Sequence, residues 1–207
     1  MSKQPIKESV RTLLLLLDIA LNLRVQKIAE KVDWSQVMQL AKNQGVRALV
    51  FEALELLKQA DEACDNFPDR MTVMQCYAQT VFVEKMYAQH LALANEVARL
   101  WKQHGVKTIV FKGVAHSRYY TKPGHREFGD LDCYLIDGQG HCAYHIGNDV
   151  ARTIGLAVDD GWYKHSHIQY KQLTIENHQY FTAARRGGAD RKSTRLNSSH
   201  HRIAYGG

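Results

Sequence analysis

Apolar positions in the first hundred residues recur at helical spacing, and those after residue 105 alternate. Ile6 to Leu23 has one apolar face and predicts an amphipathic helix. Asp33 and Ser35 are candidate N-caps for a second helix through Val37, Leu40 and Ala41, with Gly45 as its stop. Val46 to Leu57 predicts a third. Pro68 suits the first turn of a long fourth helix ending near Gln103, before Gly105. Its stripe of Met71, Met74, Tyr77, Val81, Met86, Leu91, Ala94, Val97 and Leu100 is expected to be core.

Beyond Gly105 the texture changes. Lys107 to Phe111 is a short β-branched run and reads as a strand. Lys112-Gly113 is a turn, Val114 to Tyr120 a helix, and Thr121 to Glu127, with Pro123 and Gly124, a loop. Asp130 to Ile136 reads as a strand, 141–154 as a helix despite Gly147, and 165–171 with 173–178 as two more strands. The expectation is an α+β chain: a helical module over 1–104, then a mixed sheet flanked by helices over 105–189.

Composition narrows the partners. Hydrophobic residues at 45% and charged residues at 23% are ordinary for a soluble domain. Half of the formal +6 lies in residues 190–207, where Arg191, Lys192, Arg195 and Arg202 face a single acid, Asp190. What remains is no nucleic-acid footprint, and no basic-aromatic stripe accompanies it. Cys64, Cys76, Cys133 and Cys142 form no CxxC pair, which suits reduced thiols in a cytoplasmic protein. Cys142 beside His141 and His145 lacks the second ligand pair of a structural zinc site. The run Leu13 to Leu17 is too short for a leader core and meets Asp18 at once. No segment reaches the roughly 18–20 apolar residues that span a bilayer, so no membrane partner is expected.

Asp190 to His200 (Asp-Arg-Lys-Ser-Thr-Arg-Leu-Asn-Ser-Ser-His) resembles the translation of a widely used sequencing adapter. Residues 190–207 are therefore expected to be a non-native tail that packs against nothing, and the natural chain to continue past Ala189.

The chemistry centres on Gly129-Asp130-Leu131-Asp132. In a strand, i and i+2 share a face, so Asp130 and Asp132 project together. Their mutual repulsion is relieved by a divalent hard cation. Upstream, Phe111-Lys112-Gly113 ends a strand and opens a helix, where glycine admits close approach and free N–H groups suit a phosphate.

These parts resemble the polymerase-β-like nucleotidyltransferase superfamily: hydrophobic-glycine-helix, then a strand bearing Asp-x-Asp, then a third acid on a later strand. Val110-Phe-Lys-Gly-Val-Ala115, Tyr119-Tyr120, His125-Arg126 and Gly129-Asp-Leu-Asp-Cys-Tyr-Leu135 look more specifically like a bacterial family of uncharacterised nucleotidyltransferases. The resemblance implies nucleotidyl transfer from a nucleoside triphosphate to an acceptor hydroxyl that the sequence does not identify. It implies a magnesium or manganese cofactor held by Asp130, Asp132 and a third acid, matched here by Glu176 in Thr174-Ile-Glu-Asn-His178. Lys112, Gly113 and Arg126 are the expected nucleotide-binding residues, with pairing to Asp130 as the other role for Arg126. His165, His167 and His178 are expected to be structural or solvated. A metal-dependent phosphodiesterase, which would recruit those histidines, and an inactive nucleotidyltransferase-fold binding protein remain the competing readings.

Overall fold

The computed structural model describes residues 7–28, 31–60, 66–180 and 204–205. Helix α1 (Glu8–Asn22) buries Leu13, Leu16, Ile19 and Ala20. Helix α2 (Trp34–Gln44) starts at the Asp33 carboxylate, which accepts from the Gln36 N–H at 3.0 Å, and stops at Gly45 in the left-handed conformation. Helix α3 (Arg47–Gln59) follows, and the three helices close one core around Val37, Ala41, Leu49, Val50 and Leu54. Helix α4 (Arg70–Gln103) begins after Asp69, whose carboxylate accepts from Thr72 N and Thr72 Oγ1, both at 2.9 Å.

The stripe expected to be core on α4 is corrected in its first half. Met71, Met74, Tyr77 and Val81 are exposed. The buried positions are Cys76, Thr80, Val83, His90, Leu93, Ala94, Val97 and Trp101. That face carries two polar residues, and the Thr80 hydroxyl is satisfied by donating to the Cys76 carbonyl at 3.0 Å. In the first half of the helix, large apolar side chains therefore mark the wrong face.

Chain contacts group residues 1–89 with 117–128 as one unit, and 90–116 with 129–207 as the other. In the helical unit the loop 117–128 is pinned by polar contacts. His125, 1% exposed, sits between Glu52 Oε2 at 2.9 Å and Glu84 Oε1 at 3.0 Å. Glu127 Oε2 pairs with Arg47 Nη2 at 3.2 Å.

The second unit is built on a mixed sheet of β1 (Lys107–Val110), β2 (Asp130–Ile136), β3 (Val158–Asp159), β4 (His165–Tyr170) and β5 (Leu173–His178), joined by β6 (Ala204–Tyr205). The spatial order is β3-β4-β5-β2-β1-β6. β2 and β5 pair in parallel and every other neighbouring pair is antiparallel. Strand β3 was not expected; two residues are too short to show alternation.

The tail expectation is also corrected in part. Ala204 pairs with Val110 and Tyr205 with Ile109. Without that pairing β1 is a sheet edge, whose open N–H and C=O groups accept any extended segment. The remainder of 190–207, like Cys64, lies outside the described residues.

Leu131, Cys133, Leu135, Leu173, Ile175 and Ile168 bury one face of the sheet against Val97, Trp101 and helix α6 (Tyr144–Thr153). Gly147 lets α6 approach: a Cβ there would lie 2.1 Å from Leu135 Cδ1. The same backbone accepts from Trp101 Nε1 through the Gly147 carbonyl at 3.2 Å. Beside it Asn148 Oδ1 accepts from Ser166 Oγ at 2.7 Å and Asn177 Nδ2 at 2.8 Å. The glycine in mid-helix is thus a packing requirement. Gly147→Ala should lower stability by about 1–3 kcal/mol through overpacking, read as a lower urea midpoint. Gly138→Ala, with nothing within 4 Å of its added Cβ, should leave the midpoint unchanged; equal midpoints for all three chains would contradict this packing.

Candidate functional site

Strand alternation decides what the other face of the sheet carries. Because Leu131, Cys133 and Leu135 point into the core, Asp130, Asp132 and Tyr134 project oppositely. β5 obeys the same rule in register: Asp130 aligns with Thr174, Asp132 with Glu176 and Tyr134 with His178. β4 then sets His165 opposite His178 and His167 opposite Glu176. One face of three adjacent strands therefore collects two aspartates, a glutamate and three histidines.

Asp132 is the buried member, 4% exposed. Its Oδ1 lies 2.5 Å from Lys112 Nζ and 3.1 Å from His178 Nε2. Burial pushes this carboxyl upward, but the hydrogen bonds from His178 and Lys112, with their charge, outweigh it and hold the group below its ordinary range. Glu176 is set among imidazoles. Its Oε2 is 3.2 Å from His178 Nε2, and its Oε1 is 3.5 Å from His167 Nε2 and 3.8 Å from His165 Nε2. Burial lowers the His165 pKa despite the neighbouring Glu176 charge. Phe111 meets the His178 ring edge-on at 4.8 Å, and Trp162 stacks parallel to His165 at 6.5 Å.

Lys112 owes its position to the backbone. Its φ of 58° is left-handed, while the adjacent Gly113 has no positive φ. A side chain in that region costs roughly 1–2 kcal/mol. Gly113 opens the short helix α5 (Gly113–Ser117), whose first turn closes through His116 N to Lys112 O at 2.8 Å.

The expected site residues are thus distributed as follows. Asp132, Glu176 and Lys112 lie on one face, with Asp130 half-buried two positions before Asp132 and aligned with a threonine. Arg126 folds with the helical unit, its guanidinium 5.8 Å from the Tyr120 ring centre and its Nε buried without a hydrogen-bond partner among the described residues. The histidines expected to be structural or solvated face Glu176. His165, Glu176 and His178 each offer a donor atom within 4.8 Å of the other two. Their period-two spacing, His165-x-His167 and Glu176-x-His178, is the signal that could have assigned them to this face.

The arrangement suits a divalent cation. A half-exposed ammonium already neutralises the buried Asp132 carboxylate, and a carboxylate on the adjoining strand lies in register with it. Oxygen donors so paired hold magnesium or manganese together with phosphate oxygens. Among the described residues no helix is long and apolar enough to cross a membrane.

Compared with known proteins, the chain matches the family model described as uncharacterised nucleotidyltransferase over residues 30–204. No curated protein and no solved structure gives a significant match.

The Asp132 contacts have a pH signature. A carboxyl whose folded-state pKa is depressed adds stability that is fully present above its unfolded value, near about 4, and is lost as pH falls through the folded value. Asp132→Asn should therefore flatten the fall in urea midpoint below about pH 4 relative to the parent chain. Parallel curves would show that Asp132 gains nothing from Lys112 and His178.

Proposed function

Since the chain belongs to the uncharacterised nucleotidyltransferase family, we propose that it moves a nucleoside monophosphate from a nucleoside triphosphate to an acceptor hydroxyl. The observation that carries this reading is the register of Asp132 with Glu176 across β2 and β5, with Lys112 Nζ against the Asp132 carboxylate. Asp130, Asp132 and Glu176 would hold magnesium or manganese. When bound, the cation neutralises the triphosphate and the charge that develops as pyrophosphate leaves.

The chain's own residues supply the rest. An acceptor oxygen attacks the α-phosphorus, and the bond from that phosphorus to the bridging oxygen breaks. Pyrophosphate departs, and the hydroxyl proton passes to the carboxylate face of β2 and β5. Lys112 transfers its ammonium from Asp132 to phosphate oxygens when the nucleotide arrives, so the ion pair keeps the buried acid compensated until then. Gly113 leaves the turn open beside the phosphates. Positioning and charge, rather than a covalent intermediate, account for the rate.

Nucleotide binding tests this without a known acceptor. Equilibrium dialysis of the full chain with labelled triphosphates should show binding that needs magnesium or manganese. The double variant Asp130→Asn with Asp132→Asn should weaken it by more than about tenfold, roughly 1.4 kcal/mol. Unchanged metal-dependent binding in that variant would remove the proposed centre.

A further inference from the structure

We propose that His165, Glu176 and His178 form a three-donor site that prefers a first-row transition cation to magnesium. The geometry is nearly that of a ligated site. Ligands about 2.0–2.1 Å from a tetrahedral cation stand roughly 3.3–3.5 Å apart. Glu176 Oε2 to His178 Nε2 is 3.2 Å, Glu176 Oε1 to His165 Nε2 is 3.8 Å, and all three donors lie within 4.8 Å of one another.

The backbone fixes these donors in advance. His165 and His178 are cross-strand partners, and Glu176 precedes His178 by two residues on the same strand and face. Their strands are anchored from beneath by the buried contacts Ser166 to Asn148 and Asn177 to Tyr144. A site on paired strands loses little conformational freedom when it closes on an ion.

Hydrogen bonding points the same way. His178 Nε2 faces Asp132 Oδ1 at 3.1 Å and Glu176 Oε2 at 3.2 Å. A single N–H cannot be well aligned to both oxygens, and a bare nitrogen lone pair would be repelled by both. A cation among the three atoms is attracted to every one. Donor chemistry then selects the ion. Two imidazoles with a carboxylate suit zinc, manganese, iron or cobalt, whereas magnesium dehydrates reluctantly and takes oxygen ligands. The Phe111 and Trp162 rings flank His178 and His165.

This inference does not require nucleotidyl transfer, since it concerns the ion alone. The test is titration of the metal-stripped full chain with cobalt(II), without nucleotide, followed by visible absorption. One equivalent should give ligand-field bands unlike those of the aquo ion, displaced by zinc and retained in a large excess of magnesium. His165→Gln and Glu176→Gln should each weaken binding by more than about tenfold, while exposed His104→Gln should not. Circular dichroism checks the fold of each variant, and if one unfolds the other decides. An aquo-ion spectrum, displacement by magnesium at equal concentration, or unchanged binding in the folded variants would overturn the proposal. A chain that binds cobalt as described but no nucleotide would instead defeat the nucleotidyl-transfer reading and leave this site standing.

Discussion

Strand β2 has to satisfy two opposite solvents at once. Leu131, Cys133 and Leu135 are at most 1% exposed beneath the sheet, while Asp130 and Asp132 occupy the intervening positions above it. A slip of one residue would bury two carboxylates and expose the core set, so register is strongly fixed. The parallel pairing with β5 carries the same division onward, with Leu173, Ile175 and Asn177 below and Thr174, Glu176 and His178 above. β4 extends it to His165 and His167. The candidate site is therefore a by-product of the way the core is filled.

That placement creates an electrostatic problem which the neighbouring groups answer. Taking Asp132 out of water disfavours its charge, and the chain compensates with an ammonium at 2.5 Å and an imidazole at 3.1 Å. The ammonium comes from a residue held at positive φ. Strain stored beside a charged face is where functional rearrangement is expected. Lys112 is held by one carboxylate but remains half exposed, which suits a cation that exchanges partners when an anion enters. Glu176 has only imidazoles among its ion-pair partners in the described residues, which makes that side of the face the softer in ligand character.

Much of this was legible in the sequence, and the misses have physical causes. Asp33 and Gly45 marked helix α2 because caps act locally. The limits of β2 followed from alternation, and the Asp-x-Asp pair with it. The buried stripe of α4 was legible at Ala94 and Val97 but not in the first half, because Thr80 lies on it while Met71, Met74 and Tyr77 lie off it. The left-handed conformation of Lys112 was not legible, since glycine is the usual occupant of positive φ and Lys112 takes it beside an available Gly113. That the histidines share a face with Glu176 was not legible, because a single strand does not reveal its neighbours; only the β4–β5 register brings them together.

The central claim is that the face shared by Asp132 and Glu176 holds a cation and a triphosphate together. Its most direct test is a crystal structure of the full chain with manganese and a non-hydrolysable nucleoside triphosphate, with anomalous scattering used to locate the ion. The account predicts an anomalous peak about 2.0–2.3 Å from carboxylate oxygens of Asp132 and Glu176, with phosphate oxygens beside it and Lys112 Nζ turned toward them. A nucleotide bound elsewhere, or manganese absent from that face while Lys112 stays on Asp132, would contradict it.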